Sequence, residues 1–398
     1  MKLRRLPEDF RVTELADVRV AAGGNFALYR LNKRGIGTPE AIDVILRRWK
    51  LPRSRLSYGG LKDRHAVTSQ HLTIRHGPPR NLEQEDLSLE FLGWCGRPFG
   101  PSDIQGNAFE IVLRSLDAPE RDRATSRIDA VRRDGVPNYF DDQRFGSVGP
   151  SGEFIASAWL KGDYERSLWL AFAEVHPSDR SDEKAEKQIL RENWGDFPEC
   201  KRLLARSHRR SIVTFLADRP GDFRGAWARV NVQMRRLWLS AFQSELWNRM
   251  LAAQIRNDVS PQRLFDVRLK THAVPFFREL DEPMRTTLHG QQLPLPSAKL
   301  KLDDGPQRDL AEQAVRDAGF EWRDLRVRYP RDCWFSKGWR NAVVVPRDLA
   351  AEVAEDELHP GRHKLTLKLG LPRGSYATIV VKRLTAEAPS SDFLNQPA

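Results

Sequence analysis

The alternation of apolar and polar residues that marks a half-buried strand occurs at both ends of this chain, and the stretch between has a different texture. Pro7 to Glu14 puts Phe10 and Val12 on one side and Arg11 and Thr13 on the other. Leu365, Leu367 and Leu369 repeat the pattern near the C-terminus, whereas charged, Trp-containing helical stretches begin at about Lys161. A sheet built from both ends leaves the middle as an insertion. We expect a first domain over 1–160 and 340–398 and an inserted one over 161–339; at roughly 150 residues per domain, 398 residues suffice for both. The Pro- and Ser-bearing tail after Glu387 reads as disordered.

Within the first domain, strand signals at Phe26–Leu31, Leu72–Ile74 and Ala108–Arg114 alternate with helical ones. Lys33 to Gly37 reads as a turn, and Thr38-Pro39-Glu40 as an N-cap followed by a first-turn proline and acid. Ile42, Ile45, Leu46 and Trp49 then make one apolar face. Ala124, Ile128 and Val131 make a single stripe closed by Gly135 and Pro137. A strand over Ala342–Val345 and a helix carrying Ala377, Val380, Val381 and Leu384 complete an α+β domain.

No run approaches the roughly 18 to 20 apolar residues of a membrane helix, and Met1 to Leu6 leads straight into charged PEDFRVTE, so we expect neither span nor signal peptide. Cys95, Cys200 and Cys333 are odd in number and far apart, which suits a cytoplasmic protein and builds no zinc site; the nine histidines show no metal-ligand spacing either. Lys plus Arg number 65 against 54 Asp plus Glu, a net charge of +11. With a pI near 9.7, the expected partner is a polyanion.

Three segments carry side chains suited to chemistry on a nucleic acid. GGLKDRHAVTSQ (Gly59–Gln70) sets Asp63 between Lys62 and Arg64, which favour its ionised form and offer themselves to phosphates; a solvated ion cluster in a turn is the other reading. VPNYFDDQRFG (Val136–Gly146) gathers aromatic faces, amides and Arg144, fit either to hold an extruded base or to fill a core. In LPRGSYAT (Leu371–Thr378), Ser375 reads as an N-cap whose helix could receive an anion or simply begin there. Arg206, Arg209 and Arg210 stand among the basic residues of the middle, as a phosphate-gripping surface or a solvated face.

Together and in this order, the three segments resemble the TruD family of tRNA pseudouridine synthases, with its G-x-K-D-K/R-x-A-x-T-x-Q, V-P-N-Y-F-G-x-Q-R-F-G and L-P-x-G-S/A-Y/F-A-T motifs. PEDFRVTE, GNAFEIVLR (Gly106–Arg114) and SAFQSELWN (Ser240–Asn248) are similar to further family segments. The resemblance implies a pseudouridine-synthase-like mixed, largely antiparallel sheet flanked by helices, with an inserted α/β TRUD domain. It implies isomerisation of uridine, most commonly at position 13 of the tRNA D-arm, without redox cofactor. Asp63 would be the catalytic carboxylate, Asn138 would orient it, and Phe140 and Tyr376 would sandwich the base. Arg4 stands where some members have a lysine, Asp141 replaces a glycine, and Lys382-Arg383-Leu384 replaces R-E-L. We expect tRNA as partner, Lys62, Arg64, Arg144, Arg206, Arg209 and Arg210 among its contacts, no metal and a monomer. The competing class is a non-catalytic RNA-binding or RNA-chaperone protein, which has no need of a carboxylate facing phosphates. A metal-dependent nuclease fails for want of a carboxylate cluster.

Overall fold

The alternation in PEDFRVTE becomes a strand that buries Phe10, Val12 and Glu14 and exposes Arg11 and Thr13. In the computed structural model, which describes residues 1–387, this strand lies inside a ten-stranded sheet. The tail read as disordered lies outside the described residues. We number the sheet strands β1 (Lys2–Leu3), β2 (Phe10–Ala16), β3 (Phe26–Arg34), β4 (Leu56–Tyr58), β5 (Val67–Arg75), β6 (Leu82–Glu83), β7 (Leu87–Cys95), β8 (Ile104–Leu116), β9 (Arg347–Glu355) and β10 (His363–Pro372). Their order is β9-β10-β8-β2-β5-β3-β7-β6, with β1 on β8 and β4 on β5. Each of these pairings is antiparallel except β2 with β5, where Arg11 to Thr13 run alongside Val67 to Ser69. The sheet therefore closes only with strands from both ends of the chain. Gly106 on β8 faces Pro372 on β10, and a Cβ there would collide with the Leu371 carbonyl. Only glycine permits that approach.

Helix α1 (Thr38–Trp49) lays Ile42, Ile45 and Leu46 on Tyr29, Leu31, Leu72 and Ile74. Its N-cap is Gly37 rather than the expected Thr38, whose hydroxyl is used elsewhere. Lys33 is not in a turn, because β3 continues to Arg34 and buries it. The stripe read as one helix is two, α2 (Ala118–Ser126) and α3 (Ile128–Asp134), separated at Arg127. Arg127 leaves the helix to donate to the Leu384 and Ala386 carbonyls, 3.1 and 2.6 Å away, at the end of α4 (Ala377–Thr385). Strand signal at Ala342–Val345 yields only the two-residue Val343–Val344.

The chain divides into two compact units, Met1–Val136 with Val344–Glu387, and Pro137–Val343. The change of texture in the sequence places the borders near 160 and 340. Residues from 137 to 160 pack within the second unit, Phe145 edge-on to Phe154 at 6.1 Å and Ile155, Ala156 and Trp159 in its core. That unit is mainly helical, around Val232–Asp258, whose residues Ala241 to Asn248 are buried on every side. Trp227 stacks on Trp238 at 5.6 Å beside it. Its strands amount mainly to two short antiparallel pairs, Leu264–Arg268 with Ala273–Phe277 and Gln292–Pro294 with Trp339–Asn341.

Candidate active site

In the first unit, the loop from Gly59 to Ala66 joins β4 to β5 and carries Asp63. A Cβ on Gly59 would run into Ile104 and the Phe99 ring, so this glycine is needed to lay the loop on β8; Gly60 faces open space. The loop is tied at several points. Gln70 donates to the Gly60 carbonyl (3.1 Å), the Thr38 hydroxyl accepts the Lys62 N–H (3.0 Å) and donates to Gln70 (2.9 Å), and the Lys33 ammonium donates to the Asp63 carbonyl (2.7 Å). Such anchoring holds the Asp63 carboxylate, 20% exposed, 3.1 Å from Nη2 of Arg4. The Arg4 guanidinium also lies 4.0 Å over the Phe10 ring, and its backbone turns through a positive φ of 58°.

The two cations beside Asp63 do not serve alike. Lys62, expected at phosphates, has only 8% of its side chain exposed, donating to Asn107 Oδ1 (2.6 Å) and paired with Glu14 (3.1 Å). Two charges of opposite sign withdrawn from water hold one another, so this ammonium fixes the loop on β2 and β8. Burial pushes the Glu14 carboxyl up, but hydrogen bonds from His71 and the Lys62 charge outweigh it and leave the pKa lowered. Arg64 is half exposed and only loosely paired with Glu40, at 3.4 Å, a contact of little strength in water. Burial lowers the Lys33 ammonium to about 8, against the pull of the Asp63 and Glu40 carboxylates.

Tyr376 is half buried and itself the N-cap of α4, with no side-chain cap bond. Ser375, expected there, instead donates its N–H to the Pro372 carbonyl at 3.3 Å.

The second unit holds the N-Y-F loop. Tyr139 is fully buried and donates to the Pro275 carbonyl (3.0 Å), and Phe145 is equally buried, so both are core. Phe140 is 9% exposed. Its ring meets Trp247 edge-on at 5.6 Å, and the Arg340 guanidinium lies 4.1 Å over its face. Asn248 takes both backbone groups of Phe140, accepting its N–H (2.9 Å) and donating to its carbonyl (2.8 Å). Arg144, expected at RNA, donates to the Ser244 hydroxyl (3.0 Å) and to that of Ser240. Ser240, Ser244 and Asn248 are one helical turn apart, so one face of SAFQSELWN grips the whole loop. Both ends of the Asn138 amide are engaged: Nδ2 donates to the Asn341 carbonyl (3.0 Å) and Oδ1 accepts from Arg340 (2.7 Å). Asp141 has an ordinary extended backbone (φ −94°), which needs no glycine.

Farther along, the three arginines of the middle part company. Arg209 is 11% exposed on its side chain and held by Glu186, with Glu183 at 3.8 Å. Arg210 donates to the Lys201 carbonyl (3.0 Å), and of the three only Arg206 is exposed without an ion pair among the described residues. Sequence patterns did not point to Lys33, Thr38 or Arg340 as parts of the site, nor single out Glu14 or Gln70. Glu14 and Gln70 had a signal, since each is a polar residue in the buried phase of its strand, with Phe10 and Val12 or with Leu72. Arg340 had none, lying far in sequence from the loop it covers.

The first unit thus sets a carboxylate on an anchored loop over a mixed sheet completed by both chain ends, and comparison with known proteins gives the family. Residues 1–384 match the family described as tRNA pseudouridine synthase D (TruD). A Methanococcus maripaludis protein named probable tRNA pseudouridine synthase D 1 is 30% identical, covering 96% of this chain and 99% of its own. The tRNA pseudouridine synthase D of Aquifex aeolicus is 26% identical over 96% of this chain and 98% of its own. A crystal structure of the Methanosarcina mazei TruD protein superposes with a TM-score of 0.71 at 25% identity, covering 97% of this chain and 94% of that one. The chain belongs to the TruD family of pseudouridine synthases, isomerases that act on RNA. Among the described residues no helix is long and apolar enough to cross a membrane, and no group of three or more His, Cys, Asp or Glu is placed to hold a metal.

Proposed function

We propose that this chain converts uridine 13 of the tRNA D-arm to pseudouridine, with Asp63 as the catalytic carboxylate. The observation that carries this reading is the treatment of Asp63 itself. Its loop is fastened by Lys33, Thr38, Lys62 and Gln70, while its carboxylate is left accessible to solvent and held by one edge of Arg4. Fixing a backbone so firmly around a carboxylate that keeps access to solvent suits a reacting group rather than a structural one.

The reaction breaks the bond from N1 to C1′ and joins C5 to C1′; the hydrogen on C5 is lost and N1 gains one, so nothing is oxidised or reduced. Asp63 serves either by attacking the sugar or by taking a sugar proton, and the Arg4 guanidinium 3.1 Å away holds the carboxylate in place for either task. The target must leave its stack at a cost of a few kcal/mol, which aromatic faces offset. By resemblance that role falls to Tyr376 and Phe140, and Asn138 belongs to the loop that carries Phe140. Arg64 and Arg206 remain the exposed cations for phosphates. Mapping pseudouridine in an unmodified tRNA transcript before and after incubation tests the proposal: new pseudouridine at position 13 is expected, and tRNA bound but unchanged would favour a binding protein instead.

A further inference from the structure

The arginines expected to grip RNA prove largely committed, yet the second unit has another basic surface. A recess of about 640 Å³ is lined by Lys299, Arg323, Arg326, Arg328, Arg331 and Trp334, with further apolar residues beneath. All six are exposed, and Trp334 is 58% exposed. Arg328 meets Asp324 at 3.5 Å, but Lys299, Arg323, Arg326 and Arg331 have no carboxylate partner among the described residues. Cations gathered without counter-charges repel one another, and an indole left in water forgoes its burial; neither serves folding. The Trp334 ring is flanked by Arg236 at 5.6 Å and Lys299 at 5.7 Å. It also lines a second recess, of about 370 Å³, with Arg236 and the exposed Leu237, so one continuous surface runs past the indole.

We propose that this surface binds an unpaired segment of RNA, one base stacked on Trp334 and the adjoining phosphates on Arg323, Arg326 and Arg331. The choice of strand follows from the aromatic face. A duplex presents phosphates and no bare base, so cations alone would serve it, whereas unpaired RNA offers a π-face beside each phosphate. That the partner is RNA rests on the function proposed above; the place of binding does not depend on Asp63. The sequence RDLRVRYPRDCWF (Arg323–Phe335) carries the arginines two and three residues apart and then the aromatic, and Lys299 joins them from an earlier segment.

The test measures binding of the full chain to unmodified tRNA, to a 12-nucleotide oligouridylate and to an RNA duplex across a range of salt. Trp334→Leu should weaken oligouridylate roughly tenfold with the salt slope kept and leave the duplex unaffected, and Trp334→Phe should restore most of the loss. Arg323→Gln/Arg326→Gln/Arg331→Gln should flatten the slope of log K against log salt by about 0.7 for each phosphate that is no longer neutralised. All these side chains are exposed, so melting temperatures should match wild type. Wild-type affinity and slope in both the leucine and the triple variant would overturn the proposal, as would equal losses for duplex and single strand. Wild-type protein that makes pseudouridine while its variants bind normally would overturn the recess alone. Variants that lose oligouridylate while the wild type modifies no tRNA would support the recess and overturn the function.

Discussion

Lys33 is an ammonium buried within a strand, and its hydrogen bonds go to two backbone carbonyls, those of Ile36 and Asp63, both at 2.7 Å. Its pKa is lowered from 10.5 to about 8, so between those values the folded chain binds fewer protons than the unfolded one. Stability from this group therefore rises with pH across that window, the burial penalty being fully present below about 8. Denaturant titrations of wild type and Lys33→Met from about pH 7 to 10 should show the rise only in wild type; parallel curves would contradict it. Phe140 and Tyr376 separate by the same reasoning. Tyr376→Leu, at a half-buried ring, should cost activity with little change in melting temperature, whereas Phe140→Leu should cost both, because Trp247 and Arg340 pack on that ring. A Tyr376 variant that melts early but turns over normally would assign that ring to the core.

At the scale of elements, the helix Val232–Asp258 holds the N-Y-F loop, and its grip can be broken at one side chain. Asn248→Leu leaves the Phe140 N–H and carbonyl without their partner in a buried site, at about 1 to 3 kcal/mol each. Loss of both stability and turnover should follow, read by thermal melting and single-turnover rates. Arg209 joins the helices Ser181–Glu192 and His208–Asp218 through Glu186. Arg209→Gln should lower the melting temperature and leave the salt dependence of tRNA binding unchanged; a shallower slope would return it to the RNA surface. Another junction is Arg114, bonded to Asp9 (2.8 Å) and to Asp356 (3.0 Å), which ties the N-terminal turn to the connection between β9 and β10. Burial pushes the Asp356 carboxyl up, yet the Ser115 and Leu358 N–H groups, Arg114 and His359 bring it down to about 2. That contribution is present above the unfolded value of 3.8 and is lost as pH falls through about 2, so Asp356→Asn should flatten the acid limb of the stability curve.

Over the whole molecule, what the sequence made legible was periodic and local. The strand parity of Phe10 and Val12 and the face of Ile42, Ile45 and Leu46 depend on neighbours a few residues away, and the split sheet followed from finding such patterns at both ends. What stayed hidden was decided by distant partners. Nothing near Lys62 announces Glu14, nothing near Arg209 announces Glu186, and the Thr38 hydroxyl looks like a cap until Gln70 and Lys62 take it. Charge clusters are thus the least legible feature, since an arginine spent on a carboxylate and one left for phosphate are spelled alike. The proposed chemistry is redox-neutral and carried by a carboxylate, so turnover on prefolded tRNA should survive EDTA; strict metal dependence would contradict it. The most direct measurement is the single-turnover rate of pseudouridine formation at saturating tRNA for wild type and Asp63→Asn, with tRNA affinity measured on both. A near-isosteric amide should bind tRNA as tightly and form product at least about a hundredfold more slowly, a barrier rise near ~2.7 kcal/mol. An Asp63→Asn variant that keeps more than about a tenth of the wild-type rate, a change under roughly 1.4 kcal/mol, would contradict the assignment of catalysis to this carboxylate.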